Sequence, residues 1–322
     1  MPVRATYALL LLLVLTGLAS CRSAKTALLD RSQQRKYCEP AFRFNYDSTY
    51  TPKTDLATVL QTDTLLRQLF SLHDLQVANA TGVLPILKEL VALENGMPGT
   101  NAELISEKRQ EIYNRMLIAS MEISGIAAEL DCEAERATRL ATYLQQRDSK
   151  RTQRLTILSV IAGAVTTVAT ALIQSDTPNK TVSIGGGLTS AYFGGMAAFS
   201  SKHTIHLVDQ RNLLTDIWNQ SPESAIYSPF VWYVLNEKSF SYGGQHSIRY
   251  NTRLRWQKYD LAGMSAQDSA LYFGTEGNYA ADDLLTRSEM LNQLQSAIRL
   301  IDQDLQSFLL NFSVYSKRRQ SR

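Results

Sequence analysis

The sequence predicts a mainly α-helical protein: an elongated helical bundle or coiled coil with a central Gly/Ala/Thr-rich helical hairpin and a small aromatic-rich subdomain. Three observations lead there. Only eight prolines punctuate 322 residues, so long stretches carry no helix breaker. Two distant regions repeat apolar residues every seven positions, the pattern of helices that pack along a shared seam. Between them lie two long runs without a charged side chain, separated by a polar turn. A hydrophobic fraction of 44% and a charged fraction of 20% are those of a globular chain. The formal charge of +3 is too small to indicate a nucleic-acid partner.

Residues 1–20 divide into the three parts of a secretory signal. Arg4 and the α-amino group form a short basic start, Ala8 to Leu15 an apolar core, and Gly17, Ala19 and Ser20 a small-residue end. The run Leu18-Ala19-Ser20-Cys21 resembles the lipobox of bacterial lipoproteins, a resemblance confined to this segment. It implies diacylglycerol on the Cys21 thiol, cleavage before Cys21 and acylation of the new amino terminus, so that membrane lipid is the first expected partner. An ordinary cleaved signal with a chance cysteine is the alternative. A retained anchor helix is disfavoured, because the apolar core is short of the ~20 residues a span requires. Arg22 stands where an aspartate would retain a lipoprotein at the inner membrane. The resemblance therefore implies the outer membrane. Ser23 to Thr26 carries no acidic run, which favours the periplasmic face over the cell surface. Several acyl chains, at ~0.8 kcal/mol per buried methylene, hold where one would not.

Two cysteines remain after such processing, Cys38 and Cys132. An even number in an oxidising compartment invites a disulfide, which would pin the N-terminal segment to a helix; two free buried thiols are the alternative.

Residues 21–53 read as a lipidated tether and lead-in, aperiodic and interrupted by Pro40 and Pro52. Residues 54–153 form an N-terminal helical region. It opens with Leu56, Val59 and Leu60, continues through Leu65 to Leu72, and adds a short helix at about 82–94 that Asn95-Gly96-Met97-Pro98-Gly99 ends. A long helix over about 102–153 follows. Its seam comprises Ile105, Ile112, Ala119, Ile126 and Leu140, with Met116, Ile123, Leu130, Ala137 and Leu144 offset by four; Arg109 and Glu133 are its polar exceptions. Residues 283–322 hold a C-terminal long helix and basic tail. Leu284, Leu291, Ile298, Leu305 and Phe312 form its seam, with Leu294, Ile301 and Phe308 beside it. These two stripes are expected to pack on each other, a bundle rather than a cofactor box.

Residues 154–202 are the apolar small-residue hairpin. Leu155 to Ile173 and Thr181 to Ser201 are uncharged, and small residues recur every fourth position: Gly163, Thr167 and Ala171 on one arm, Gly187, Ala191 and Gly195 on the other. A second such series is Ser190, Gly194 and Ala198. This spacing lets helix backbones approach closely, in lipid or in a protein assembly. Arg147, Lys150, Arg151 and Arg154 precede the first arm, and Lys202 and His203 follow the second, so both flanks lie on one side, where anionic headgroups would sit. Two environments fit: a second membrane contact, or a buried hairpin at the tip of a bundle or in a homo-oligomer.

Residues 203–282 begin with Leu207, Val208, Leu213, Leu214, Ile217 and Trp218, read as a continuing helix. The aromatic stretch Ile226 to Leu235 comes next. Ile248, Tyr250, Leu254 and Trp256 then alternate with Arg249, Asn251, Arg253 and Arg255 after Gly243-Gly244. That alternation reads as a β-hairpin, or as a short helix bearing the same residues.

No catalytic constellation, cofactor motif or metal centre emerges. His203, His206 and Asp209 lie at i, i+3 and i+6 but lack a fourth ligand. His73-Asp74 has no nucleophile motif beside it. The triple glycine after Ile184 lacks the Gly-Lys-Ser/Thr ending of a phosphate loop. Asp282-Asp283 reads as the acidic start of a helix. The sequence thus suggests a non-catalytic envelope component held by lipid at Cys21. Its hairpin would engage a membrane, a second copy or an envelope protein. A pore-forming protein that inserts the hairpin on oligomerisation is the second reading, and nucleic acid is not an expected partner.

Overall fold

The computed structural model describes residue 38 and residues 50–56, 63–96, 102–172, 176–199 and 202–320. Cys21 and the signal-like segment lie outside the described residues. The fold is mainly α, with one small antiparallel pair of strands.

Three helices open the described chain: α1 (Thr64–Leu69), α2 (Leu72–Ala80) and α3 (Leu84–Glu94). Each begins where its sequence supplies a reason. The Asp63 side chain accepts from the Leu66 amide, Ser71 and Asp74 form a reciprocal capping box, and Pro85 sits in the first turn of α3. The predicted helix at 82–94 starts two residues later, because Gly82 turns the chain at φ +76°. The Tyr50 ring would lie 3.1 Å from a Cβ at Gly82, so the lead-in segment packs on this turn.

The long helix does not stop near residue 153. It runs unbroken as α4 (Ala102–Leu172), 71 residues or about 105 Å at 1.5 Å per residue, so the first arm of the hairpin is its continuation. Nothing at 152–154 breaks a helix: Thr152, Gln153 and Arg154 change the character of the surface, not the backbone. Along α4 both predicted stripes are buried from Ile112 to Leu144. The polar exception Arg109 reaches Glu94 at the end of α3, Nη2 to Oε1 at 2.6 Å.

The second stripe folds as two helices, α10 (Ala281–Arg299) and α11 (Ile301–Gln320), joined through exposed Leu300. The single long helix predicted for 283–322 is therefore interrupted, though the apolar stripe passes through the joint; Leu284, Leu291, Leu294, Ile298, Ile301, Leu305, Phe308 and Phe312 are all buried. The joint is a tightened turn in which the Gln303 amide donates to the Leu300 carbonyl at 3.0 Å. The two stripes pack on each other, α10 along α4 and α11 against α4 and α2. Between α4 and α10 Ser288 Oγ donates to the Ala134 carbonyl at 2.9 Å, beside the small buried side chains of Ala134, Ala137 and Ala141.

Between the second arm of the hairpin and α10, the expected continuing helix is absent. Residues 205–208 form strand β1 (Ile205–Val208), paired antiparallel with β2 (Glu276–Tyr279) in the register Ile205 to Tyr279 through Val208 to Glu276. Short helices α6 (Thr215–Asn219), α7 (Pro229–Asn236), α8 (Ile248–Arg255) and α9 (Ala266–Ala270) connect them. The β-hairpin read at Gly243-Gly244 gives way to its alternative, a helix. Ser247 caps α8 by accepting from the Tyr250 amide at 3.2 Å, and a π-turn at Trp256–Asp260 follows. The alternating arginines have apolar work here. Arg249 lies over Trp232 at 5.1 Å and Arg253 over Trp218 at 5.0 Å.

Candidate functional site

The hairpin is the part of the molecule whose surface chemistry departs furthest from a globular norm. Its second arm is α5 (Asp176–Ala198), 23 residues antiparallel to the end of α4. The arms touch through small and hydroxylated residues. Ser159 Oγ donates to the Ser190 carbonyl at 2.9 Å, and Ser190 Oγ returns a bond to the Ser159 carbonyl at 3.0 Å. Above this pair, a Cβ on Gly186 would stand 1.7 Å from Thr166 Oγ1 and 2.6 Å from its Cβ, so only glycine fits. Beside it, a Cβ on Gly163 would meet Ser190 Oγ at 3.5 Å, and one on Gly194 would meet Ser159 Oγ at 3.4 Å.

The seam therefore runs through Ser159, Gly163 and Thr166 on one arm and Gly186, Ser190 and Gly194 on the other. Of the predicted packing residues, Gly163 lies on it. Gly187 and Gly195 have open space where a Cβ would stand, and Ala191 and Thr167 are exposed, Thr167 bonding back to the Gly163 carbonyl at 2.9 Å. The side chain of Ala171 lies outside what the structure describes. The physical reason is that α5 carries two small-residue stripes about 100° apart. Spacing alone ranks them equally, whereas the serine on one of them can exchange hydroxyl bonds with Ser159. An open groove of about 580 Å³ runs between the arms, lined by residues of both stripes.

The outward faces are the opposite in character. Ile157, Leu158, Val160, Ile161, Val165 and Val168 are exposed on the first arm, Val165 to 62%. On the second, Leu188, Tyr192 and Phe199 are exposed, Leu188 to 67%. Large apolar side chains thus point away from the pair while Ser159, Thr166 and Ser190 lie between the arms, with Thr156, Thr167 and Thr189 exposed beside the apolar ones. Among the described residues no helix is long and apolar enough to cross a membrane.

At the root of the hairpin, Arg147, Lys150 and Arg154 are exposed. The carboxylate nearest them in sequence, Asp148, accepts from the His203 amide at 3.2 Å and pairs with the His203 ring; Lys202 pairs with Asp282. His203 is thereby separated from His206 and Asp209. His206 stands on β1, 3.7 Å from Glu276, and Asp209 is bound to Arg287. Among the described residues no group of three His, Cys, Asp or Glu is placed to hold a metal ion.

Two further constellations lie outside the hairpin, the first expected from the sequence and the second not. Cys38 and Cys132 are joined as a disulfide with Cα atoms 5.6 Å apart, which ties residue 38 to α4. Near it lies a buried charge cluster where the seam of α4 is broken at Glu133. Arg136 donates to Glu133 at 3.1 Å and to the Val208 carbonyl at 3.3 Å. Arg287 pairs with Asp209 and donates to the Tyr272 carbonyl at 3.0 Å, and Arg211 donates to Glu129 at 2.7 Å. Burial, and then the Asp209 carboxylate, push the Glu133 carboxyl above its usual range against the pull of Arg136 and Arg287. The polar gap at Glu133 was the visible trace of this cluster. Compared with models of protein families, with curated proteins and with solved structures, the chain matches none.

Proposed function

We propose that this chain is a non-catalytic lipoprotein of a bacterial cell envelope with a structural or assembly role. It is held at one point by acylated Cys21, and it engages a membrane or protein partner through the hairpin. The localisation and the lipid anchor rest on the N-terminal motif Leu18-Ala19-Ser20-Cys21. The engagement rests on one structural observation, the apolar outer surface of the hairpin, whose Ser159 and Ser190 hydroxyls meet inside while Val165, Leu188 and Phe199 face outward. A solvated hairpin gains nothing from that arrangement; burial of the outward faces would contribute about 25 cal/mol per Å² of apolar surface covered.

The test uses Val165→Arg together with Leu188→Arg in the full chain carrying Cys21→Ser, so that no acyl group contributes. In cell fractionation the Cys21→Ser chain should remain with the envelope or in a larger complex, and the doubly substituted chain should be released as a monomer with unchanged circular dichroism. Equal retention of both would overturn the hairpin's role. The groove lined by Ser159, Thr166, Thr167 and Ser190 supports the second reading, a pore-forming protein, since hairpins assembled side by side would present hydroxyls inward and apolar faces outward. Release of a trapped dye from vesicles, lost in the arginine variant, is its signature.

A further inference from the structure

We infer that the surface engaged by the hairpin is an anionic lipid bilayer, which it enters tip-first until a basic collar at its root meets the headgroups. This deepens the proposed function and rests on the same hairpin. Three observations select lipid over a protein partner.

The first is the course of one face of α4. Arg147, Lys150, Arg151 and Arg154 lie at i, i+3, i+4 and i+7, a single helical face. Leu158, Ile161, Val165 and Val168 continue that face, so it passes from cationic to apolar within about one turn. Arg147, Lys150 and Arg154 are exposed, and the carboxylates at this level are engaged elsewhere, Asp148 with His203 and Asp282 with Lys202, which leaves those three charges facing outward. Anionic headgroups above an acyl layer offer that order of chemistry. From Arg154 to Leu172 the arm is about 27 Å long at 1.5 Å per residue, comparable with a hydrocarbon layer of ~30 Å.

The second is the width of the apolar surface. From Val160 to Leu158 the exposed residues of the first arm cover an arc of roughly 160° at 100° per residue. The seam to one neighbouring helix is a narrower stripe, whereas lipid wets every outward direction at once.

The third is the internal satisfaction of hydroxyls. Thr156 donates to the Thr152 carbonyl at 3.0 Å, Thr166 to Ala162 at 2.7 Å, Thr167 to Gly163 at 2.9 Å and Thr189 to Gly185 at 2.8 Å. Ser159 and Ser190 bond each other's carbonyls. Acyl chains offer polar groups no partner, so a hairpin entering them must supply its own. Serine, threonine and glycine lower the hydropathy of each arm taken singly, but as a pair the arms turn several of them inward.

An environment-sensitive fluorophore placed at Val165→Cys, Leu188→Cys or, as a control on α11, Leu310→Cys of the full Cys21→Ser chain reads the local surroundings. With vesicles of phosphatidylglycerol and phosphatidylcholine, the labels at 165 and 188 should shift to the blue and be quenched by a lipid-borne quencher, while the label at 310 stays aqueous. Reversing the collar with Arg147→Glu, Lys150→Glu and Arg154→Glu should weaken partition into these vesicles about a hundredfold. About 1 M salt should weaken the unsubstituted chain in the same direction without any change in sequence. Labels at 165 and 188 that remain aqueous at saturating lipid would overturn the inference. If they instead turn apolar as protein concentration rises without lipid, a second copy is the occupant; lipid is then excluded while the docking role of the hairpin stands.

Discussion

At Gly186 a single methyl group decides whether the two arms meet, because Thr166 occupies the space a Cβ would need. Gly186→Ala should part the arms, lowering the helical signal of the hairpin and raising its protease sensitivity. Gly187→Ala, one residue on and facing open space, should stabilise the arm by ~0.5–1 kcal/mol through helix propensity. Equal behaviour of the two variants would refute the seam. Across the bundle, His73 on α2 holds Asp304 on α11 at 2.9 Å, against the ring of Phe240. That hydrogen bond, with the charges of Asp304 and Asp74, raises the His73 pKa above 6.5 despite burial. A raised value in the folded state makes the protonated form stabilising. The contribution is complete below pH ~6.5 and is lost as pH rises through the folded value. With 38% of the His73 side chain exposed, screening limits it to under ~1 kcal/mol. Denaturation midpoints from pH ~5 to ~8 should fall for the native chain relative to His73→Gln, and parallel curves would exclude the pair. Neither residue was legible as a partner in the sequence, since 231 positions separate His73 from Asp304.

Among the elements, the helices with strong periodicity were readable and the short ones were not. The seams of α4 and α10 follow from seven-residue spacing, and the end of α3 from the Asn-Gly-Met-Pro-Gly break. The end of α4 was misplaced because a change from charged to apolar residues resembles a boundary, although the hydrogen-bonded helix passes through it. The strands escaped notice because β2 is Glu-Gly-Asn-Tyr, four residues without a β-former except Tyr279. The alternation at 248–256 misled for an identifiable reason: period two arose from arginines that cover Trp232 and Trp218 along a helix. The disulfide pairing of Cys38 with Cys132 closes a separation of 94 residues, worth ~4–5 kcal/mol in the chain-entropy picture.

For the molecule as a whole, the buried cluster around Arg287 holds the segment after the hairpin against both α4 and α10. Arg287 is 1% exposed and meets Asp209, Asn212 and the Tyr272 carbonyl. Arg287→Met leaves Asp209 buried without its cation and should lower global stability by ~3–5 kcal/mol; adding Asp209→Leu should restore most of it in urea denaturation. A double variant no more stable than the single would show that the charges are not acting as a pair. This cluster also bears on the hairpin. From Ile126 to Ala162 α4 contains neither glycine nor proline, so the stretch that carries Cys132, Glu133 and the basic collar has no built-in hinge. The arm beyond it behaves as a lever fixed at its base. A torque applied to α4 ahead of Gly163 would arrive, with little lost to bending, at the level of the disulfide and the buried arginines.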